Sequence, residues 1–265
     1  MPESAEVKLV TEYLRSKLSN RIIKDWIFTS GQYEDVLPDN FDDFFDKTPF
    51  LVENVECKGK LIYFTLFNED GYFYILHSLR MTGRWQEYKD STCRWYILLD
   101  KKEKIWFKNP RCLATLKFTS DKKDLDDSLN KLGPDILTED LNLRTWNNLI
   151  QLHRNKNVTS FLMNQSILSG IGNYIKAESL YYAKISPLRK IGNLSEGELD
   201  KLFEGIRIIP RLAYCKKGLS LKDFANEKGI KGTFENDLKI YGKKFAKRSK
   251  TSDGRITYWD PLVQK

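Results

Sequence analysis

The 265-residue sequence has few cysteines and histidines, no long apolar run and no start typical of a leader. Its four cysteines are scattered without C-x-x-C spacing, which argues against a disulfide framework and against a cysteine zinc site. With only two histidines, His77 and His153, a histidine-rich metal centre is excluded. No apolar run approaches the roughly 20 residues that cross a bilayer, and the first residues are charged. We therefore expect a soluble, intracellular protein that is not secreted and has no membrane partner.

Positive charge and aromatic side chains, in contrast, are abundant. The 44 Lys and Arg residues exceed the 36 Asp and Glu residues and give a formal net charge of +8. A hydrophobic fraction of 41% with 13% aromatics indicates a folded chain rather than a disordered one. The excess of basic residues predicts an anionic partner, and nucleic acid is the first candidate.

The chain from about residue 20 to residue 120 has the composition of β-strands. Its short runs are dense in Ile, Tyr, Phe, Trp and Leu, which suit half-buried pleated surfaces, and polar turns separate them. The runs are KGKLIYFTLF, GYFYILHSLRM, RWYILLD and KIWFKN. Because these runs do not alternate with helical ones, we predict an antiparallel sheet or sandwich and not a doubly wound fold.

The rest of the chain has helical spacing and ends in a basic hairpin. Beyond Gly133-Pro134, apolar residues recur every three or four positions, as in EGELDKLFEGIRIIPRLAYC, and SGIGN separates two such segments. Asp253-Gly254 is a strong hairpin turn signal. The sequence thus predicts an α+β fold of two domains. The predicted boundaries are 1–120 for a catalytic β-sandwich domain, 121–140 for an interdomain connection, 141–236 for a helical domain and 237–265 for the β-hairpin.

Seven short motifs follow one another along the chain in the order PE, KGK, SLRMTG, NPR, LGPD, GIGN and GRITY. In these motifs the sequence resembles the formamidopyrimidine-DNA glycosylase and endonuclease VIII family over essentially its whole length. The resemblance implies an N-terminal antiparallel β-sandwich with flanking helices, then a helical domain with a helix-two-turns-helix element and a hairpin finger.

The terminal hairpin departs from most of that family because it contains no cysteine. It resembles the zincless-finger branch of endonuclease VIII-like proteins, and a large DNA virus is one candidate source. We therefore expect no zinc and no other cofactor. The hairpin must then depend on strand pairing and on aromatic side chains such as those of Tyr241, Phe245, Tyr258 and Trp259.

Pro2 and Glu3 have a local explanation and a chemical one. Locally, proline and glutamate suit the first turn of a helix whose apolar face begins at Val7. Chemically, removal of Met1 would make Pro2 a secondary amine with a pKa of about 8, partly unprotonated and nucleophilic at neutral pH. The resemblance implies that this amine attacks the sugar C1′ of a damaged nucleoside and forms a Schiff base, and that Glu3 protonates the opening sugar. Glu6 matches a further acidic position of the family.

Three residues match family positions that contact DNA. Lys60, in the KGK turn, is implied to hold the phosphate beside the lesion and to donate a proton; it is otherwise an ordinary turn lysine, and Lys58 competes for the assignment. Asn173 is implied to contact the DNA backbone and also suits a helix cap. Arg255 is implied to grip the phosphates flanking the lesion and is otherwise a solvated arginine. Glu178 matches a family acid and is expected to be structural.

The family fills the space left by a flipped base with a methionine, an arginine and a phenylalanine. Met81 and Arg111 match the first two positions, whereas the third is Leu113. Leucine cannot stack as a planar wedge, so we expect looser probing of the opposite base and compatibility with bubble or single-stranded DNA. The loop around residues 216–220 matches a variable lesion-covering loop, where specificity can lie.

The resemblance implies a bifunctional DNA glycosylase with β,δ-eliminating AP lyase activity in base excision repair. Its catalytic residues would be Pro2, Glu3, Lys60 and Arg255, and it would bind damaged DNA, double-stranded or single-stranded, as a monomer. The resemblance to the zincless-finger branch, with Leu113, implies oxidised pyrimidines and hydantoins as the lesions. The alternatives are a preference for oxidised purines, a non-catalytic DNA-binding protein on the same scaffold, and an RNA-binding protein, for which no recognition module is visible. The run KKFAKRSK either contacts phosphates or is a nuclear import signal.

Overall fold

The computed structural model describes residues 2–138, 141–219 and 230–265, which form seven α-helices and ten β-strands. The helices are α1 (Ser4–Leu18), α2 (Phe41–Asp46), α3 (Lys122–Asn130), α4 (Leu143–Leu152), α5 (Val158–Met163), α6 (Asn173–Tyr182) and α7 (Glu196–Cys215). The strands are β1 (Ile22–Phe28), β2 (Phe50–Lys58), β3 (Leu61–Asn68), β4 (Gly71–Ser78), β5 (Arg84–Gln86), β6 (Cys93–Leu99), β7 (Lys104–Lys108), β8 (Thr115–Thr119), β9 (Lys247–Lys250) and β10 (Ile256–Trp259). In these ranges no helix combines the length and the apolar character that crossing a membrane requires.

Strands β1 to β8 form one antiparallel sheet in the order β5-β7-β6-β1-β2-β3-β4-β8. The sheet folds over on itself, because the ring of Trp26 on β1 contacts rings from β3, β5 and β8 at centroid distances between 5.5 and 5.8 Å. These rings belong to Phe64, Trp85 and Phe118. Since β5 and β8 are the edge strands, both ends of the sheet close over one aromatic core. The predicted antiparallel β-domain is confirmed, and its sandwich-like core comes from a single continuous sheet.

Helix α1 brings the start of the chain to the junction of the two domains. Its apolar residues Val7, Val10, Leu14 and Leu18 recur at helical spacing and are all buried. The helix packs on β2 and β3 with part of its surface and on α7 with another part. Residues at its N-terminus therefore lie between the sheet and the helical domain.

The helical domain packs α4 to α7 around buried aromatic side chains, among them Trp146, Phe161 and Tyr174. Asn157 begins α5 as a cap, because its side-chain oxygen accepts from the Thr159 N–H at 2.8 Å. Helices α5 and α6 are joined by non-helical residues that include the first three residues of the GIGN motif, and Asn173, its last residue, begins α6. The predicted α+β class with two domains is confirmed.

The segment predicted as the interdomain connection contains helix α3. The side chain of Leu125 on α3 packs against Tyr74 and Leu76 of β4, so this helix covers one part of the sheet. Residues 139 and 140, at the end of the same segment, lie outside the described residues. The boundary positions themselves stay predictions.

The terminal hairpin pairs β9 with β10 in antiparallel register. Tyr258 packs edge-on against Tyr241 with ring centroids 5.2 Å apart, and Trp259 is 6% exposed. The expectation that Phe245 also holds this hairpin is wrong, since its side chain is 65% exposed. Phe245 lies before β9 begins, in a segment that is not paired with another strand. No strand pairing therefore fixes its side chain toward the core.

Candidate active site

A cleft of about 300 Å³ lies where the start of the chain, the sheet and the terminal hairpin meet. Pro2, Lys60 and Arg255 line it, so three residues that are far apart in sequence come together. Pro2 is buried, and Arg80 forms another part of the wall. Met1, whose removal the chemical interpretation of Pro2 requires, lies outside the described residues.

Glu3 connects the two domains at this cleft. Its carboxylate accepts three backbone N–H groups at the start of α6, from Gly172 at 2.8 Å, Tyr174 at 2.9 Å and Ile175 at 3.1 Å. A Cβ atom at Gly172 would overlap the Glu3 carboxyl group, so the glycine is required for this approach. Burial raises the pKa of Glu3, and the charge of Lys60 and the backbone donors oppose that rise.

Glu6 lies beside Glu3 and is also buried. Its carboxylate accepts from the Glu3 N–H at 2.9 Å, from the Leu219 N–H at 3.1 Å and from the Tyr174 hydroxyl at 3.2 Å. Burial, with a smaller contribution from the nearby Glu3 charge, raises the pKa of Glu6 to about 7. Glu6 thereby links the N-terminus to Leu219 in the loop at residues 216–220, of which Ser220 lies outside the described residues.

Lys60 is held in the cleft by a tight turn between β2 and β3. The preceding Gly59 has φ +58°, and a Cβ there would lie 2.7 Å from the Ser169 side chain. The Gly59 N–H donates to the Asp135 carboxylate at 2.7 Å, and Lys60 Nζ donates to the Ile171 carbonyl at 2.5 Å. Burial lowers the pKa of Lys60 to about 8, and the charge of Arg255 contributes in the same direction.

Lys58, the competing lysine of the KGK turn, is directed elsewhere. Its Nζ donates to the carbonyl of Leu129 on α3 at 3.1 Å. Lys60 rather than Lys58 is therefore the lysine of this turn that lines the cleft.

Asn173 and Arg255 present polar groups that the described residues leave unengaged. Asn173 is the first residue of α6, and its buried Oδ1 has no hydrogen-bond partner among them. Arg255 follows Gly254, which has φ +77°, and is exposed. In the described ranges its guanidinium meets no hydrogen-bonding or ion-pairing acceptor. The Arg255 guanidinium is therefore available to an incoming anion, whereas Asn173 Oδ1 can only accept a hydrogen bond and an anion would have to meet the NH₂ group of that amide.

Glu178 lies in the second half of α6 and has a structural role there. Its carboxylate accepts the backbone N–H groups of Lys239 at 2.8 Å, Ile240 at 2.9 Å and Tyr241 at 2.7 Å. It therefore holds the segment that leads into the terminal hairpin and does not line the cleft with Pro2.

Two family models match the chain over most of its length. The formamidopyrimidine-DNA glycosylase N-terminal domain matches residues 1–116, and the formamidopyrimidine-DNA glycosylase H2TH domain matches residues 132–224. The chain belongs to the formamidopyrimidine-DNA glycosylase and endonuclease VIII family. Like the members of this family, it is a DNA glycosylase with AP lyase activity, an enzyme of base excision repair.

Curated relatives and solved structures agree with this membership. The formamidopyrimidine-DNA glycosylase of Wolbachia pipientis wMel is 29% identical over 250 residues, which cover 92% of this chain and 89% of that protein. The same-named enzyme of Prochlorococcus marinus (strain MIT 9301) is 29% identical and covers both chains fully. The fold matches the MutM (Fpg) protein of Thermus thermophilus, with a TM-score of 0.85, 22% identity and coverage of 99% of this chain and 98% of that one. It also matches Lactococcus lactis Fpg bound to DNA containing an abasic site, with a TM-score of 0.85, 21% identity and 99% coverage of each chain.

The three residues expected to fill the space of a flipped base lie on two loops of the glycosylase β-domain. Met81 is half-buried after β4, whereas Arg111 and Leu113 are exposed between β7 and β8. The Leu113 N–H donates to the Asn109 side chain at 3.3 Å, and Leu113 itself is 48% exposed. Their action on DNA stays a prediction.

Several residues around the glycosylase cleft escaped the sequence interpretation. Tyr174 contacts Glu6, Asp135 fixes the turn before Lys60, and Lys176 pairs with Asp253 inside the protein. The one signal available was Lys176, a lysine among apolar residues in the middle of a predicted helix. The others depend on contacts between distant segments, which periodicity does not encode.

We expect the kcat/KM of this glycosylase for abasic-site cleavage to fall as the pH rises above about 8. Lys60 has a pKa of about 8, so above that pH it loses the charge that would hold a phosphate. Well above this pKa the charged fraction of Lys60 falls tenfold for each pH unit. Because kcat/KM reports the ionisation of the free enzyme, we expect kcat/KM to fall about tenfold per pH unit as well. The measurement is a pH–rate profile between pH 6 and pH 10.

Lys60→Arg should move this alkaline limb upward, since arginine keeps its charge throughout that range. Lys58→Arg is the matched control, because it changes the other lysine of the same turn and leaves the cleft untouched. A profile for Lys60→Arg that still falls at the wild-type pH would assign the limb to another group.

Proposed function

We propose that the protein excises oxidised bases from damaged DNA through a Schiff base on Pro2 and then cleaves the strand by β,δ-elimination. The observation that carries this proposal is the meeting of Pro2, Lys60 and Arg255 in one cleft, with Glu3 buried beside it. A protein that only bound DNA would need phosphate-binding groups, but it would gain nothing from a terminal amine in the same cleft.

Pro2 acts first in this mechanism, once Met1 has been removed. Its nitrogen lone pair forms a bond to C1′ as the bond from C1′ to the base breaks, and the proton that the proline nitrogen loses is taken up by the departing base. The bond from C1′ to O4′ then breaks, Glu3 supplies the proton to O4′, and the nitrogen becomes a cationic iminium. The three N–H donors at the start of α6 fix the orientation of the Glu3 carboxyl group.

The iminium then allows both eliminations. Loss of a C2′ proton expels the 3′ phosphate, and loss of a C4′ proton expels the 5′ phosphate. Lys60 and Arg255 neutralise phosphate charge beside the lesion, and Asn173 contacts the DNA backbone through its side-chain amide. All of these groups come from one chain, so a monomer suffices. Solved relatives from Lactococcus lactis are described as complexes with DNA containing THF, an abasic site or Fapy-dG, which supports damaged DNA as the partner.

We also propose that the enzyme belongs to the zincless-finger branch and works without zinc. All four cysteines lie at or before Cys215, ahead of the hairpin. In the described ranges, no three His, Cys, Asp or Glu side chains come together as a metal site would require. Strand pairing and the packing of Tyr258 on Tyr241 support the hairpin instead.

Oxidised pyrimidines and hydantoins are the proposed lesions, in duplex, bubble or single-stranded DNA. The exposed Leu113 supports this choice, because a flexible aliphatic side chain probes the opposite base less strictly than a planar ring. A second candidate is formamidopyrimidine, a ring-opened purine, since the curated relatives carry that lesion in their names.

Borohydride trapping tests the proposed function directly. Protein that begins at Pro2 is incubated with borohydride and DNA that carries an abasic site, thymine glycol, a hydantoin or formamidopyrimidine. The expected result is a covalent protein–DNA band with each substrate, formed fastest with thymine glycol or the hydantoin. Duplex and bubble forms of each DNA are compared in parallel.

Two other outcomes carry different conclusions. If no adduct forms while DNA binding is intact, the reaction does not pass through a Schiff base on Pro2 and the proposed mechanism is wrong. If formamidopyrimidine reacts fastest, the second candidate replaces the first as the lesion.

A further inference from the structure

Helix α6 carries a buried lysine that pairs with the terminal hairpin. The Lys176 side chain is 0% exposed, and its Nζ lies 2.7 Å from Oδ2 of Asp253, whose side chain is 3% exposed. A buried charge is tolerated only when a partner compensates it. The pair therefore ties α6, whose N-terminus binds Glu3, to the hairpin turn that precedes Arg255.

A short path of hydrogen bonds leads from Asp253 to Arg255. The Thr251 hydroxyl donates to Oδ1 of Asp253 and accepts from the Thr257 hydroxyl at 2.7 Å. The Thr251 N–H donates to the Arg255 carbonyl at 2.9 Å, and the Gly254 N–H donates to the Thr251 carbonyl at 2.8 Å. The backbone around Arg255 is thus fixed by residues that Asp253 itself contacts.

The hairpin needs such an anchor. Its two strands have four residues each, and an isolated two-stranded hairpin of this size is marginally stable in water. Apolar packing by Tyr258 and Trp259 stabilises the hairpin, but such packing is not directional. A charge-assisted hydrogen bond fixes direction as well as distance.

We propose that the Lys176–Asp253 ion pair is a positioning device that holds Arg255 over the cleft, where its guanidinium meets the phosphate beside the lesion. This inference rests on the proposed function, in which Arg255 binds that phosphate. Lys176 and Asp253 act through Arg255 and do not touch DNA themselves. In this chain the ion pair would take over the role that a bound metal ion has in fixing the hairpin finger of most of the family.

A double-mutant cycle tests the coupling between residues 176 and 255. The measured quantity is the Kd for a duplex that contains a tetrahydrofuran abasic analogue, at a temperature where circular dichroism finds every variant folded. Arg255→Ala should weaken binding about 10- to 100-fold in the wild type, because it removes a charged hydrogen-bond partner of the phosphate. In the Lys176→Met background the same change should cost less than about threefold, because Arg255 is already displaced.

Asp253→Asn provides a second background should Lys176→Met fail to fold, since it removes the charge and keeps the shape. Arg189→Met is the matched control, because it breaks the ion pair with Glu198 in the same domain but away from the hairpin turn. In the Arg189→Met background, Arg255→Ala should keep its full effect. This separates a positioning role from a general loss of stability.

A full effect of Arg255→Ala in all backgrounds would overturn the positioning role and leave the proposed function intact. No effect of Arg255→Ala in the wild type would instead remove Arg255 from the proposed phosphate site, and the positioning role with it. In that case trapping at Pro2 still decides separately whether the chain is an enzyme of the proposed kind.

Discussion

Protein that retains a residue or a tag on Pro2 should form no borohydride adduct and should neither excise bases nor cleave abasic sites. An amide bond to Pro2 delocalises the nitrogen lone pair that would attack C1′, and an acylated proline nitrogen carries no hydrogen. Pro2 is buried at the cleft wall, so an extension would also occupy the space of the sugar. We expect activity to fall to background.

One protein sample, assayed before and after removal of its N-terminal tag, provides the cleanest measurement. Mass spectrometry confirms that the processed form begins at Pro2. Pro2→Gly, processed in the same way, is the matched control, because it keeps a free terminal amine and should still be trapped at a reduced rate. This control distinguishes loss of the nucleophile from loss of the proline ring.

Lys60 is the competing nucleophile that this experiment addresses. It lines the same cleft, and its pKa of about 8 leaves about a tenth of it neutral at pH 7. Buried lysines with lowered pKa form Schiff bases in other enzymes. If the tagged protein is trapped at the rate of the processed one, with the DNA attached to Lys60, then Pro2 is not the nucleophile and the proposed mechanism is wrong.

The local structure around the site could be predicted from the sequence. The spacing from Val7 to Leu18 predicts α1, alternation and aromatic content predict the sheet, and Asp253-Gly254 predicts the hairpin turn. The order of short motifs indicated the family before any contact was known. Each of these signals is a pattern among residues that are close in sequence, so it can be recognised without knowledge of the fold.

The contacts that assemble the cleft could not be predicted in this way. Helix propensity explains Glu3 as the start of α1 and the family resemblance implies a proton-donor role, but neither predicts that its carboxylate binds backbone groups about 170 residues away. Lys176 and Asp253 are 77 positions apart and lie on elements with unrelated periodicity. Phe245 has the same composition signal as Tyr258, but only the fold decides which of them is buried.

Glu3→Gln should reduce excision and abasic-site cleavage about 10²- to 10⁴-fold, the range expected when a positioned proton donor is removed. Binding of the tetrahydrofuran duplex should change much less, because Lys60, Asn173 and Arg255 remain. Glutamine keeps the size of the side chain but cannot give up a proton to O4′. Single-turnover rates measure the chemical step without product release.

The same change should also destabilise the fold, and that effect needs its own control. The Glu3 carboxylate accepts three backbone N–H groups, whereas a glutamine amide offers one oxygen and turns an NH₂ group toward the remaining donors. An unsatisfied buried donor costs about 1–3 kcal/mol. Glu178→Gln removes an equivalent carboxylate, which accepts three backbone N–H groups near the hairpin and lies outside the cleft wall.

Comparison of these two glutamine variants separates chemistry from stability. Both should lower the free energy of unfolding by a similar amount, measured by urea denaturation. The rate constant of the chemical step should fall by two orders of magnitude or more only in Glu3→Gln. In Glu178→Gln the same rate constant should stay within about tenfold of the wild-type value. Equal losses of rate in both variants would make Glu3 a structural link between α1 and α6, and the proton to O4′ would have to come from another group.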